Sequence, residues 1–165
     1  MIPQAEFRTM PVSSPEPADR TTAGTAIGDG AALDLGSADI TDEAQDTPAR
    51  VFWWRITDMK GNSEISNIRI WIPDDPGMEG TDAFYMDITD VWTTNKTPVQ
   101  VKTGNPGTAP LSEPQANLSK NGGGNITGIT HDQASKYIYI TGNIGVDETT
   151  GNKTGLKIKV KFDYC

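Results

Sequence analysis

Apolar and polar residues alternate most regularly between Val51 and Ile72, in V-F-W-W-R-I-T-D-M-K-G-N-S-E-I-S-N-I-R-I-W-I. Phe52, Trp54 and Ile56 share one side there, and Ile68, Ile70 and Ile72 repeat the pattern. Successive strand residues point to opposite faces, so a period of two predicts two β-strands. Lys60, Gly61, Asn62 and Ser63 between them have turn chemistry. The pattern predicts an antiparallel hairpin of 51–58 with 65–72, with Trp54 opposite Ile70 and both apolar sets on one buried face. That register sets Trp53 opposite Trp71, and Arg55 opposite Arg69, on the second face. Such a face suits a strand pair covered on both sides by its own domain. It also suits a contact surface, because Trp and Arg are enriched at interface hot spots.

The rest of the chain after Arg50 reads as further strands and turns. Residues 83–92 alternate, with Phe84, Met86 and Ile88 on one side and Tyr85, Asp87 and Thr89 on the other. Short strands are predicted at 99–102 and 126–130, and a firmer one at 136–141 (K-Y-I-Y-I-T). Residues 103–125, with Pro106, Pro110, Pro114 and Gly122-Gly123-Gly124, predict a long irregular loop. Residues 142–155 predict a hairpin connection turning at 149–152. The chain closes on a one-sided strand with Leu156, Ile158, Val160, Phe162 and Tyr164 inward and Lys157, Lys159 and Lys161 outward. No convincing helix emerges, beyond one helical turn over 37–45 capped by Thr41. About seven short strands with turn signals predict an all-β fold: a single β-sandwich over 50–165, with a closed barrel as the alternative.

Residues 1–49 read differently. They are rich in Pro, Thr, Ala, Gly and Asp, carry one aromatic residue, Phe7, and are interrupted by Pro11, Pro15 and Pro17. A segment so poor in apolar residues cannot form its own core, which predicts an extended, mostly irregular N-terminal arm. Fixing each of its residues costs about 1–2 kcal/mol of backbone entropy, so the arm is expected to be ordered by other chains. Phe7, Ile27, Leu33 and Leu35 are the candidate anchors, and Trp53, Arg55, Arg69 and Trp71 complete the candidate partner-binding set.

The chain has 165 residues, a net charge of -8 and a pI near 4.5. An acidic surface with no Lys/Arg cluster before the C-terminus repels phosphate backbones, so nucleic acid is not expected as a partner. No apolar run approaches the ~20 residues of a membrane span, and the N-terminus lacks the basic and apolar regions of a secretory signal. The one cysteine, Cys165, fits a reducing compartment.

Candidate chemistry is sparse. His131, in T-H-D-Q-A-S-K, has Asp132 beside it but no activated Ser or Cys to serve, and reads as a loop histidine. Zinc lacks ligands at the usual spacing. Asp74, Asp75, Asp82, Asp87, Asp90, Asp147 and Glu148 are carboxylates that calcium could use, yet none follows a calcium-loop pattern, and a solvated surface is the better reading. Gly122 to Gly124 lack the Lys-Ser/Thr of a phosphate loop. The N-x-S/T matches at Asn95, Asn117, Asn125 and Asn152 read as coincidence in a chain this rich in Ser and Thr. No catalytic, cofactor or metal residues are assigned, and an enzyme is not expected.

An acidic β-domain, a polar arm and a Trp/Arg face together resemble the layout of structural proteins in virus-like particles. The expectation is a virion protein assembled in a host cytoplasm: a capsid decoration, or other head or tail component of a tailed phage. Its partners would be copies of itself or a major shell protein. The competing expectation is a carbohydrate-binding or adhesion-type β-sandwich, with Trp53, Trp71 or Trp92 as a stacking platform.

Overall fold

Strand β4 (Arg50–Asp58) carries adjacent tryptophans that must point to opposite faces, and both faces are covered. Trp53 is 0% exposed and Trp54 3%. The computed structural model of the chain describes residues 1–28, 35–40, 42–73, 82–147 and 157–165. Among these, β1 (Gln4–Met10), β2 (Thr25–Ile27) and β3 (Gln45–Asp46) precede β4. The strands β5 (Ile65–Trp71), β6 (Ala83–Thr89), β7 (Pro106–Thr108), β8 (Tyr137–Ile144) and β9 (Lys159–Tyr164) follow it, with one short helix, α1 (Pro98–Lys102). The protein is thus nearly all-β.

Seven strands form one open antiparallel sheet in the order β2-β1-β4-β8-β6-β7, with β3 also paired to β8. It does not close into a barrel. β3 and β4 lie end to end along the same edge of β8, opposite Asn143–Ile144 and Ile138–Ile140 respectively. Thr47 bridges the gap between them: its N–H donates to Gly142 O at 2.7 Å, and its hydroxyl accepts from Gly142 N at 2.8 Å.

β5 and β9 make a separate two-stranded sheet. The expected hairpin of 51–58 with 65–72 therefore does not form. β1 pairs with one edge of β4 along its length, β8 and Ser135 take the other edge from Arg50 to Trp54, and the chain turns at Met59–Asn62 and leaves the sheet. Lys60 (φ 53°) and Gly61 (φ 83°) are left-handed in that turn, a conformation suited to glycine. The predicted burial nonetheless holds: Phe52, Trp54 and Ile56 share one cluster with Ile65, Ile68, Ile70 and Ile72. Alternation fixes which side of a strand is buried, and a strand in another layer can supply that contact as well as a neighbour in the ladder. Met86, Ile88, Ile138 and Ile140 complete this core, and Ile158, Val160 and Phe162 of the last strand pack half-buried against it. Lys157, Lys159 and Lys161 are exposed, as the alternation predicts; Tyr164 is exposed rather than inward.

The other face of the large sheet buries Val51, Trp53, Tyr137 and Tyr139 with Val101 and Ala134. Residues 99–102, expected as a strand, belong instead to helix α1. Thr97 caps it, its hydroxyl accepting from Gln100 N while Gln100 Oε1 accepts from Thr97 N, and Pro98 occupies the first turn. T-P-V-Q is a capping-box sequence, and at this length it outweighs the β-propensity of the two valines. The helical turn expected over 37–45 is absent from its described residues, where Gln45 enters β3; Thr41 lies outside them. Leu33, Leu156, the 149–152 turn, and Asp74, Asp75 and Glu148 also lie outside.

The N-terminal segment differs most from expectation. β1 is not an arm reaching for other chains but an interior strand, paired with β2 and, from Gln4↔Asp58 to Met10↔Val51, with β4. Phe7 meets Phe52 edge-to-face at 5.3 Å between centroids. Arg8 holds the following turn, donating from Nε to Ala23 O (2.8 Å) and from Nη2 to Thr22 O and Gly24 O (both 3.1 Å). Composition reports how much apolar surface a segment brings. It does not report that an unpaired strand edge elsewhere will satisfy the segment's backbone.

Two outcomes follow for stability. Trp54→Ala, which empties the centre of the main core, should cost about 3–5 kcal/mol in denaturant unfolding. Removing residues 1–27 should abolish cooperative unfolding, because it strips an edge of β4 and uncovers Trp53. A truncated chain with an unchanged midpoint would contradict this role for β1.

Candidate functional site

The eight residues singled out as partner-binding do not form one surface. Trp53 is wholly buried, and its indole N–H donates to Arg20 O at 2.8 Å. Arg55 is half-buried; it donates to Thr21 O and lies 3.7 Å from Glu6. Arg69 pairs with Glu113 (3.0 Å) and Asp163 (2.9 Å). Trp71 and Ile27 are half-buried in β5 and β2, in different sheets. Phe7 and Leu35 pack half-buried against the main core, and Leu33 lies outside the described residues.

What covers the Trp53 face is the chain's own residues 11–23. Trp92 donates its indole N–H to Ser14 O (3.0 Å), the Tyr137 hydroxyl donates to Glu16 (3.0 Å), and Asn95 N donates to Val12 O (2.7 Å). Arg20, itself buried, donates from Nη1 to Ser135 O (3.1 Å), and its backbone N–H donates to His131 Nδ1 (2.8 Å). His131 thus closes a structural contact, with Asp19 3.9 Å away. Trp92 stacks edge-on to Tyr137 with centroids 5.1 Å apart, so neither it nor Trp53 is a free platform. Beside this cluster Lys96 is paired with the buried Asp87 and lies 4.4 Å above the Tyr139 ring. Asp87 also accepts from Asn105 N at 3.0 Å. A Cβ on Gly104 would fall 2.2 Å from Asp87 Cγ, so glycine is what lets the backbone pass. Sequence reasoning missed Arg8, Glu16, Arg20 and Lys96, because each acts across a long sequence separation that no local pattern marks. No cluster of metal-ligating side chains occurs among the described residues, and no described helix is long and apolar enough to cross a membrane.

Two features bear on function. The first is the outer edge of β9. Ile65 exchanges backbone bonds with Ile126; Ile68 O accepts from Asn117 and Leu118 N–H; Ile70 is bonded on both sides by the Asn117 amide (2.9 Å each). Those β5 residues therefore direct their backbone groups away from β9. Their register partners Val160 and Tyr164, opposite Ile70 and Ile65, direct theirs away from β5. Among the described residues nothing pairs with that side of β9.

The second feature is a cleft of about 550 Å³ between β5, the end of β6 and the 116–125 segment. Its apolar lining is Ile65, Ile68, Ile88 and Leu118, core residues no more than 7% exposed. Ser66, Asn67, Asn105, Ser119 and Asn125 line its rim with Lys136, which sits 3.6 Å from Asp90. Asn67, left-handed at φ 49°, donates from Nδ2 to Asp163 (2.8 Å); the Asn105 and Asn125 side-chain amides bond to no described residue. Two of the N-x-S/T asparagines, Asn117 and Asn125, thus belong to the wall of one cleft.

No protein-family model, curated protein or solved structure matches this chain.

Burial pushes the hydroxyls of Tyr137 and Tyr139 above the ordinary tyrosine range, and the bond to Glu16 raises Tyr137 further. The folded state holds these protons more tightly than the unfolded chain does. The stabilisation is fully present below the unfolded value of about 10 and is lost as pH rises beyond it. Thermal melts should therefore fall above that pH, and Tyr137→Phe should flatten the fall. A melting temperature insensitive to alkaline pH would contradict the burial of these hydroxyls.

Proposed function

We propose that this chain is a non-catalytic structural subunit of a virus-like particle, a capsid decoration or other head or tail component of a tailed phage. In this reading the fold is a β-sandwich in which β5, β9 and the 117–126 segment face the large sheet. The support expected from a free N-terminal arm is withdrawn, since β1 is used internally. The observation that carries the reading is the outer edge of β9. It offers outward backbone groups at Val160 and Tyr164 beside the half-buried Val160 and Phe162 side chains. An extended segment of a neighbouring subunit would add to this edge as a further strand, gaining main-chain hydrogen bonds and covering the apolar row. Lys157, Lys159 and Lys161, exposed on the opposite side of the strand, would keep the free protein from pairing indiscriminately.

The test has two parts. Mass spectrometry of purified particles should find this chain with the major shell protein. Val160→Pro removes an outward N–H that β5 does not use, a substitution edge strands tolerate. It should leave the circular dichroism and melting of the free chain nearly unchanged and abolish co-sedimentation with the shell. Absence from particles, or a folded Val160→Pro chain that co-sediments at the wild-type ratio, would sink the proposal.

A further inference from the structure

We infer that the cleft between β5, the end of β6 and residues 116–125 binds a neutral carbohydrate. The inference rests on the cleft alone and stands independently of any assembly through β9. At about 550 Å³ the space falls in the range of small-ligand clefts. Its composition decides among ligand classes.

An anion finds one cation, Lys136, already beside Asp90 on a chain of net charge -8. A cation finds no carboxylate in the lining. An extended peptide would need a strand edge to pair with, and the β5 edge facing the cleft is taken: Ile65 by Ile126, and Ile68 and Ile70 by Asn117 and Leu118. What remains are neutral groups around an apolar lining. The Asn105 and Asn125 amides each hold two donors and an acceptor with no partner among the described residues. Asn67 keeps its carbonyl oxygen while its Nδ2 is spent on Asp163. Sugar hydroxyls both donate and accept, and a side-chain amide answers both roles at once. The C–H face of a pyranose would meet only the small part of Ile88 and Leu118 that reaches the cleft, 7% and 5% of their surface, so hydroxyl contacts to the rim amides carry the recognition.

The lining is also anchored against collapse. The Asn117 amide bonds Ile70 at both N and O, and Leu118 N donates to Ile68 O at 3.1 Å, so residues 117–118 are held to β5 as a backbone-bonded wall. A preformed wall reduces the ordering cost of binding.

Amide-resolved NMR of the full chain, titrated with tetrasaccharides of glucose, galactose, mannose and N-acetylglucosamine at millimolar concentration, tests this directly. At least one should shift the amides of Ser66, Asn67, Asn105, Ser119 and Asn125 together. The double variant N105A/N125A should bind that sugar about tenfold more weakly, as expected for losing two neutral hydrogen bonds, with its melting temperature unchanged. No shift at these amides with any of the four sugars overturns the inference. So does a shift centred on Trp71 or Trp92, or equal binding by the folded double variant. A polar tetrapeptide or a sulfated disaccharide that moves these amides when no neutral sugar does overturns it as well.

Discussion

Strand β4 is buried on both faces. β1 and β8 pair with its two edges, β8 over Arg50–Phe52 only; apolar residues of β5 and β9 share a core with Trp54, and residues 11–23 with Trp92 cover Trp53. Adjacent tryptophans on one strand demand two covers, since burying either side chain and exposing the other would forfeit about 1.5–3 kcal/mol or more of burial free energy. One cover is apolar and made of strands. The second is irregular chain, held because it answers the polar atoms that burial would otherwise strand. Carbonyls at Ser14 and Arg20 take the two indole N–H groups, and Glu16 takes the Tyr137 hydroxyl. Buried indoles and phenols need such partners, and a proline-rich segment with spare carbonyls provides them.

The same accounting explains where the arginines went. Arg8 gathers three carbonyls of one turn, Arg20 reaches Ser135, Arg55 reaches Thr21, and Arg69 joins Glu113 and Asp163. A guanidinium carries five donors in a fixed fork, which suits it to tying irregular backbone to a sheet as well as to meeting a partner. Arginine beside tryptophan is therefore an ambiguous signal until the overlying chain is placed.

A long loop does the work of a strand. Residues 110–126 bond Ile65, Ile68 and Ile70 of β5, and Ile72 just after it, through backbone groups and the Asn117 amide. This closes one edge of the small sheet and gives the cleft a fixed wall, leaving the outer side of β9 as that sheet's open edge among the described residues. The position of both features thus follows from which side of β5 the loop covers.

Alternation in the sequence determined which residues of β4, β5, β6 and β9 share a face, because side-chain direction along a strand has a period of two whatever lies beside it. It also carried the β-class and the solvent-facing lysines of 157–161. Tertiary structure decided everything that depends on a partner distant in sequence: that 51–58 and 65–72 lie in different sheets, that β1 takes an edge of β4, and that Trp53 is covered by residues 11–23. The helix at Pro98–Lys102 was legible in Thr97 and Gln100, where a local capping signal competed with β-branched valines. The cleft was not, since Asn67, Asn105 and Asn125 are ordinary loop asparagines until the fold sets them on one rim. Periodicity is a property of a single strand; strand neighbours and loop covers are set by free energies summed over the whole chain.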